Sequence, residues 1–428
     1  MKKTLAFIVA IIMAVCFCGC KNVNINDALS SDVEVEYQEI IIDETSSTDT
    51  ETTQSNTQSD NNSSVLDTPI QSAPSNDNQS SNPAISIDYD TVVEVDICDD
   101  VIRGYLEAKD VTNQFYWLTT YENQKFDNQY LSLDWYRDGS LTYTLYFSEN
   151  ADFSNAIVIE TNSSIIRNTI LIPGKTYYWK VTGTNTSNIL GGGRIKVKDA
   201  PVRWIQIDSV GNVRDMGGWK TESGKTVKYG MLYRGRRLED ISEEGIATIK
   251  QLGLKTELDL RYADQKFQTQ GTGLKYEFIE MPGQYDTVLK SNPTVIKSSY
   301  RRIFELLADK NNYPFYAHCN AGADRTGTFA FIVNGVLGVS YEDLTRDFEL
   351  TSFSASGKRW RADSEHDIDG EMTAKGNHVA WGKLYDEMMK YGTENGCTTL
   401  QSSIEHWLLN YVGVPQSQID SFREIMLG

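Results

Sequence analysis

The chain has 428 residues, 40% of them hydrophobic, which is room for two or three domains with real apolar cores. Its 59 Asp and Glu outnumber 40 Lys and Arg, a formal charge of −19 with no long basic run, which excludes nucleic acid or another general polyanion as partner. The four histidines show no zinc-ligand spacing, so neither a metal site nor any other cofactor is expected.

Residues 1–22 read MKKTLAFIVAIIMAVCFCGCKN: two lysines, an apolar run from Leu5 to Phe17, then small residues and a cysteine. That is the pattern of an export signal, and it is short for a spanning helix. Its end, FCGC, resembles a bacterial lipobox with Gly19 before the cut and Cys20 as the lipidated residue, although Phe17 stands where Leu is commonest. Residues 1–20 are therefore expected to be a lipoprotein-type signal peptide, with an ordinary cleaved signal and secretion as the alternative. Residues 21–88 follow as a tether. Their 45–83 stretch is nearly all Ser, Thr, Asn, Gln and Asp, and buries too little apolar surface to offset its ordering entropy. About 65 flexible residues reach roughly 45 Å on average. The expected location is the outer face of a bacterial cytoplasmic membrane, with Cys20 carrying the lipid anchor. Three scattered thiols then remain, Cys98, Cys319 and Cys397, which make no disulfide framework. A Cys98–Cys397 bridge would have to join two separate domains.

Between residues 89 and 200 the pattern turns strand-like: YLSLDWY, LTYTLYFS, AIVIET, LIPGKTYYWKV and GRIKVKD. Period-two alternation at Leu131, Leu133 and Trp135 and at Tyr177, Trp179 and Val181 is broken by Asp138-Gly139, Pro173-Gly174 and the glycine run 191–193. This predicts an antiparallel all-β sandwich. LSLDWYRDGSLTYTLYFSENADF with LIPGKTYYWKV resembles a fibronectin type III domain. Such a module implies either a rigid spacer or a docking surface for protein or glycan.

From residue 201 to 428 strands and helices alternate. LKTELDLR (254–261), LKYEFIEMP (274–282) and PFYAH (314–318) read as strands; SSYRRIFELLADK (298–310) and TGTFAFIVNGVLGV (326–339) read as helices, the second ending at Gly338. The ordering predicts an α/β domain with a mostly parallel central sheet, so the chain as a whole is multidomain. Ligands in such sheets sit beyond the carboxyl ends of strands, where HCNAGADRTG (318–327) lies.

Placed between that strand and that helix, the N–H groups of Asn320, Ala321, Gly322, Ala323, Asp324 and Arg325 can curl around one anion at the positive end of the helix dipole. Gly322 permits the tight curl, and Arg325 can fork two N–H groups onto a tetrahedral oxyanion. In that field the thiolate of Cys319 is favoured over the thiol, which makes it a nucleophile for phosphorus. A cysteine followed six positions on by arginine is by itself a weak signal. The whole string with strand before and helix after is a strong one.

HCNAGADRTG is similar to the signature of the protein-tyrosine phosphatase superfamily. NVRDMGGWKTESGKTVKYGMLYRGRRL from Asn212, LDLR at 258–261 and LGVSYEDLTRDFELTS at 337–352 narrow the resemblance to a bacterial exported branch, over roughly residues 204–427. The resemblance implies that Cys319 forms a cysteinyl-phosphate, that Arg325 binds the phosphoryl oxygens, and that Thr326 turns its hydroxyl to the sulfur and helps it leave. It implies Asp324 as the acid that protonates the leaving oxygen, whereas most relatives place that Asp on a separate mobile loop, where this chain has Asp286. Ala323 stands where members acting on phosphoinositides often carry Lys, which removes support for a polyanionic head group. The substrate expected is thus a phosphorylated protein, phosphotyrosine first, or a small phosphomonoester. An inositol-phosphate phosphatase on the same fold and a non-catalytic phospho-binding or adhesion protein are the alternatives. Arg214, Arg234, Arg236 and Arg237 fit either the rim of the site or a salt-bridged face, and Asp259 with Arg261 a structural ion pair behind the loop.

Overall fold

Three runs of buried apolar side chains organise the protein, and the largest belongs to a parallel sheet covered by helices. The computed structural model describes residues 87–123, 130–184, 188–200, 202–357, 359–360 and 377–428. The export signal, Cys20 and nearly all of the tether lie outside these residues.

The central sheet has the order β11 (Lys275–Phe278), β10 (Thr256–Asp259), β12 (Phe315–His318), β9 (Leu232–Gly235), β8 (Arg214–Asp215). Its first three pairings are parallel, and β8 runs antiparallel to β9. β12 is the middle strand, buried at all four residues, and its register sets His318 beside Asp259 on one side and Gly235 on the other. A parallel strand enclosed on both faces needs a near-continuous apolar run, which FYA supplies. Helices α3 (Glu243–Gln251), α5 (Pro293–Leu307), α6 (Asp324–Leu337), α7 (Tyr341–Glu349), α8 (Asn377–Glu394), α9 (Leu400–His406) and α10 (Gln416–Leu427) complete the α/β part, with a one-turn α4 at Thr287–Lys290. α6 is buried on all sides, with Phe329, Phe331, Ile332, Val333 and Val336 no more than 1% exposed and Ala330 among them 2%. Burying each large side chain is worth about 1.5–3 kcal/mol, so the helix that starts at the candidate loop is also the best anchored. It ends on Gly338 at φ 95°, as its sequence predicts.

Residues 89–200 differ from the expectation. They contain a five-stranded sheet of order β1 (Val92–Val95), β7 (Ile189–Val197), β6 (Thr176–Gly183), β3 (Tyr143–Ser148), β4 (Ile157–Thr161), and a two-stranded ribbon of β2 (Tyr130–Ser132) with β5 (Ile165–Arg167). The alternation read from the sequence is observed on β6, where Tyr177, Trp179 and Val181 are buried. However, β1 pairs parallel to β7, and among the described residues no separate all-β sandwich domain is formed. The same stretch folds into two helices, α1 (Asp100–Glu107) and α2 (Val111–Thr120). Ile102, Tyr105, Leu106, Phe115 and Leu118 from these helices lie in the same apolar cluster as β12 and α6. The helical signals were in the sequence: Asp99 and Asp110 cap the two N-termini by accepting from the N–H groups of Val101 and Asn113 at 2.8 Å each. Ile102, Tyr105 and Leu106 also follow the i, i+3, i+4 spacing of one helix face. Strand alternation elsewhere in the segment masked them.

Two cysteines are accounted for by packing. Cys98 is buried in the large cluster, where burial pushes its thiol up to about 12, and Cys397 is half-buried; neither is bridged.

Candidate active site

The loop 319–323 leaves the carboxyl end of β12 and enters α6 at Asp324. Gly322 has φ 69°, and a Cβ there would sit 2.2 Å from the carbonyl oxygen of Gly235. Both the backbone conformation and the contact with β9 therefore require glycine.

Every carbonyl of the curl is tied outward. The N–H of Arg237 donates to Asn320 O at 3.3 Å, and Ala321 O accepts from Asn212 Nδ2 at 3.0 Å and Ser356 Oγ at 2.9 Å. Arg234 Nη2 donates to Gly322 O at 2.8 Å and Ala323 O at 3.2 Å. Among the described residues, the N–H groups of Asn320, Ala321, Gly322, Ala323, Asp324 and Arg325 meet no protein acceptor. With carbonyls drawn out, these donors and the amino end of the 14-residue α6 form one anion-binding concavity next to Cys319, which is 2% exposed.

Arg214 and Arg234 are not rim residues. Both are fully buried and share the carboxylate of Asp347: Arg214 Nε donates to Oδ1 at 2.8 Å and Arg234 Nη1 to Oδ2. Burial, then the neighbouring Arg234 cation, pushes Arg214 down to about 10 against the pull of Asp347. Burial alone would raise the Asp347 carboxyl, but the two guanidiniums outweigh it and hold it below the ordinary carboxylate range. The sequence singled out neither Asp347 nor its role as the counter-ion that lets Arg234 reach the loop. Asp259 and Arg261 do form the ion pair expected of them, with Nη2 to Oδ2 at 2.8 Å and both residues buried. His318 is buried as well, its Nε2 3.0 Å from Glu257 Oε1 on β10.

The remaining candidates are placed as follows. The guanidinium of Arg325 reaches Gln265 Oε1 through Nη1 at 3.2 Å and Nη2 at 3.3 Å, and lies 4.3 Å from the ring centre of Tyr262. Both partners come from the stretch after β10, and nothing in the sequence pattern marked them. Thr326 is fully buried and its hydroxyl has no partner among the described residues. The Asp324 carboxylate is half-buried and held by two other segments: it accepts from Arg359 Nε at 2.8 Å and Nη2 at 3.2 Å, and from the Tyr285 hydroxyl. All three are donors, so in this arrangement Asp324 acts as an acceptor. Asp286 is paired with Lys290 at 3.0 Å across the short α4. Its neighbour Tyr285 makes the connection to α6, donating its N–H to Thr328 Oγ1 at 2.7 Å. Burial and then the Asp324 carboxylate push the Tyr285 hydroxyl strongly upward, so it remains a donor. Among the described residues no group of three or more His, Cys, Asp or Glu is placed to hold a metal ion.

Residues 205–428, more than half of the chain, match the family described as the tyrosine phosphatase family. The chain belongs to that family. A Cupriavidus necator protein provisionally named a tyrosine-protein phosphatase is 23% identical over 34% of this chain and 61% of its own length. A tyrosine-protein phosphatase of Nostoc commune is 23% identical over 31% of this chain and 50% of its own. The chain thus spans about half to three fifths of the length of these curated relatives. Among solved structures, the core catalytic domain of the PP-IP phosphatase SIW14 from S. cerevisiae, crystallised with citrate, is 17% identical over 39% of this chain and 88% of its own, at a TM-score of 0.24. Membership in this family of cysteine-based phosphatases makes the loop at Cys319 the candidate site of phosphoester hydrolysis.

Proposed function

We propose that this phosphatase hydrolyses phosphotyrosine through a cysteinyl-phosphate on Cys319. The observation that carries the reading is the curl of inward N–H groups beside that thiol, made possible by donors that draw every loop carbonyl outward. Three equatorial oxygens of a phosphoryl group need donors arranged in that way, and positioning with charge stabilisation supplies most of such a transfer. The Cys319 thiolate attacks phosphorus, the S–P bond forms, and the P–O bond to the leaving group breaks. Arg325 exchanges Gln265 for two phosphoryl oxygens. Asp324, once its carboxyl has left Arg359 and Tyr285 and taken up a proton from solvent, gives that proton to the leaving oxygen. Water then attacks phosphorus and passes a proton to the Asp324 carboxylate, the S–P bond breaks with its electron pair returning to the Cys319 thiolate, and inorganic phosphate departs. The unpartnered Thr326 hydroxyl is suited to donate to the sulfur as it leaves.

An aromatic ester fits the surroundings. Tyr262 is 38% exposed while touching Arg325, and Phe267, 51% exposed, follows on the same stretch. Ring faces there favour a phenolic leaving group over a sugar-like polyol. The export signal and lipid anchor at Cys20 belong to the same proposal, which would set this chemistry outside the cytoplasmic membrane.

The test is phosphate release by the full chain from phosphotyrosine, phosphoserine and inositol-phosphate substrates, with and without vanadate. Vanadate-sensitive release from phosphotyrosine, abolished at least 10³-fold by Cys319→Ser, is expected. Turnover by Cys319→Ser at the parental rate would overturn the mechanism, and preference for inositol phosphates would overturn the substrate.

A further inference from the structure

Between residues 203 and 261 the arginines around the sheet are paired with carboxylates in all but one case. Arg203 meets Asp215 at 3.3 Å, Arg214 and Arg234 meet Asp347, Arg237 meets Glu239 at 3.0 Å and Asp240 at 3.4 Å, and Arg261 meets Asp259 and Glu239. Arg236 stands between two of these and is exposed, and among the described residues it has no carboxylate partner. The other five arginines of this stretch are committed to carboxylates, so Arg236 is the one arginine among them whose positive charge is uncompensated.

Its position adds to this. Arg236 directly follows β9, at the point where β9 meets the anion-binding loop. A Cβ on Gly322 would be 2.8 Å from the Arg236 nitrogen, and the adjacent Arg237 N–H holds Asn320 O. The backbone of Arg236 is fixed on both sides: its N–H donates to Gly211 O at 3.0 Å and its carbonyl accepts from the Tyr316 hydroxyl at 2.6 Å. An arginine side chain therefore starts from a rigid point within a few ångströms of the loop and ends in solvent with its charge uncommitted. Arg237, by contrast, is already engaged by two carboxylates.

We propose that Arg236 is a specificity-determining residue that binds a second anionic group of the substrate, adjacent to the phosphoester held by the loop. This rests on the phosphatase reading above. For a phosphotyrosine substrate, the second group is the carboxylate of a neighbouring Asp or Glu. A second phosphate on a small phosphoester presents the same chemistry. An ion pair at an exposed rim contributes about 0.2–1 kcal/mol, which corresponds to a preference of up to roughly fivefold. It acts chiefly on capture of substrate, and salt screens it.

The experiment uses the full chain and phosphotyrosine peptides that differ only in flanking residues, acidic against neutral, together with inositol bisphosphate against inositol monophosphate. Two readouts are taken: kcat/KM of the parent, and Kd of the Cys319→Ser form, each with and without Arg236→Ala and Arg236→Lys. Expected is an acidic-to-neutral ratio of about threefold to fivefold in the parent, carried in KM, reduced at high salt, partly kept by Arg236→Lys and lowered to about one by Arg236→Ala. A purely structural role would lower both peptides together and leave the ratio unchanged, which overturns the proposal, as does a ratio of one in the parent. A ratio that Arg236→Ala removes in the peptide pair or in the inositol pair identifies which substrate source carries the second anion. If Cys319→Ser binds with the expected ratio while the parent releases no phosphate, the phosphatase reading fails and the Arg236 site stands. Turnover without any ratio gives the opposite result.

Discussion

Asp347→Asn is the substitution that most directly tests how the loop is held. The carboxylate is nearly inaccessible and neutralises two arginines that are each 0% exposed. An amide of the same shape removes the negative charge and turns an N–H₂ toward one guanidinium, leaving two buried cations without a counter-ion. Breaking a buried pair from one side costs about 3–5 kcal/mol, because the remaining charge is stranded in a medium that solvates it poorly. For a unit of this size each kcal/mol lowers Tm by about 2–4 °C, so a fall on the order of 10 °C is expected. The effect is also pH-dependent. The folded Asp347 carboxyl titrates below its unfolded value, so its contribution is fully present above the unfolded value near ~3.9 and is lost as pH falls through the folded one. The parent should therefore lose stability on acidification below about pH 4 more steeply than Asp347→Asn. Because Arg234 also holds Gly322 O and Ala323 O, phosphatase activity at temperatures where the variant is still folded should fall at least tenfold. Urea melts between pH 7 and pH 3, with activity measured in parallel, provide the check. A destabilisation below about 1 kcal/mol, or parallel pH curves for the two proteins, would refute the argument that Asp347 is the counter-ion on which the loop depends.

Gly322→Ala combines a left-handed backbone with a contact of 2.2 Å to Gly235 O, so activity should be lost by two orders of magnitude or more while circular dichroism shows the helices retained; full activity would mean that the loop does not need this curl. Phe115→Ala removes a ring that packs edge-on against Trp360 at 6.0 Å, next to the Arg359 that grips Asp324. A loss of about 3–5 kcal/mol in urea melts is expected, accompanied by lower kcat, although Phe115 lies outside the family-matched region. Unchanged stability would show that α1 and α2 do not support the α/β core.

The sequence alone determined what depends on local order in the chain. The string HCNAGADRTG specifies its curl through Gly322, its helix start through the run from Asp324, and the chemistry proposed for it through Cys319 and Arg325, because all of these lie close together in the chain. Three strands and two helices of residues 201–428 were legible for the same reason, since period and capping are local properties. Whether an arginine is a ligand or a structural cation is not. Arg214 and Arg234 gained their meaning from Asp347, more than a hundred positions away, and Asp324 from Tyr285 and Arg359 on two other segments. The helices α1 and α2 were readable as helices from Asp99, Asp110 and their apolar spacing, but that they enter the α/β core was decided only when Tyr105 and Phe115 found partners beyond residue 340. Charge pairing and core membership are properties of neighbours in space, and a linear order of residues does not encode which distant carboxylate will be there.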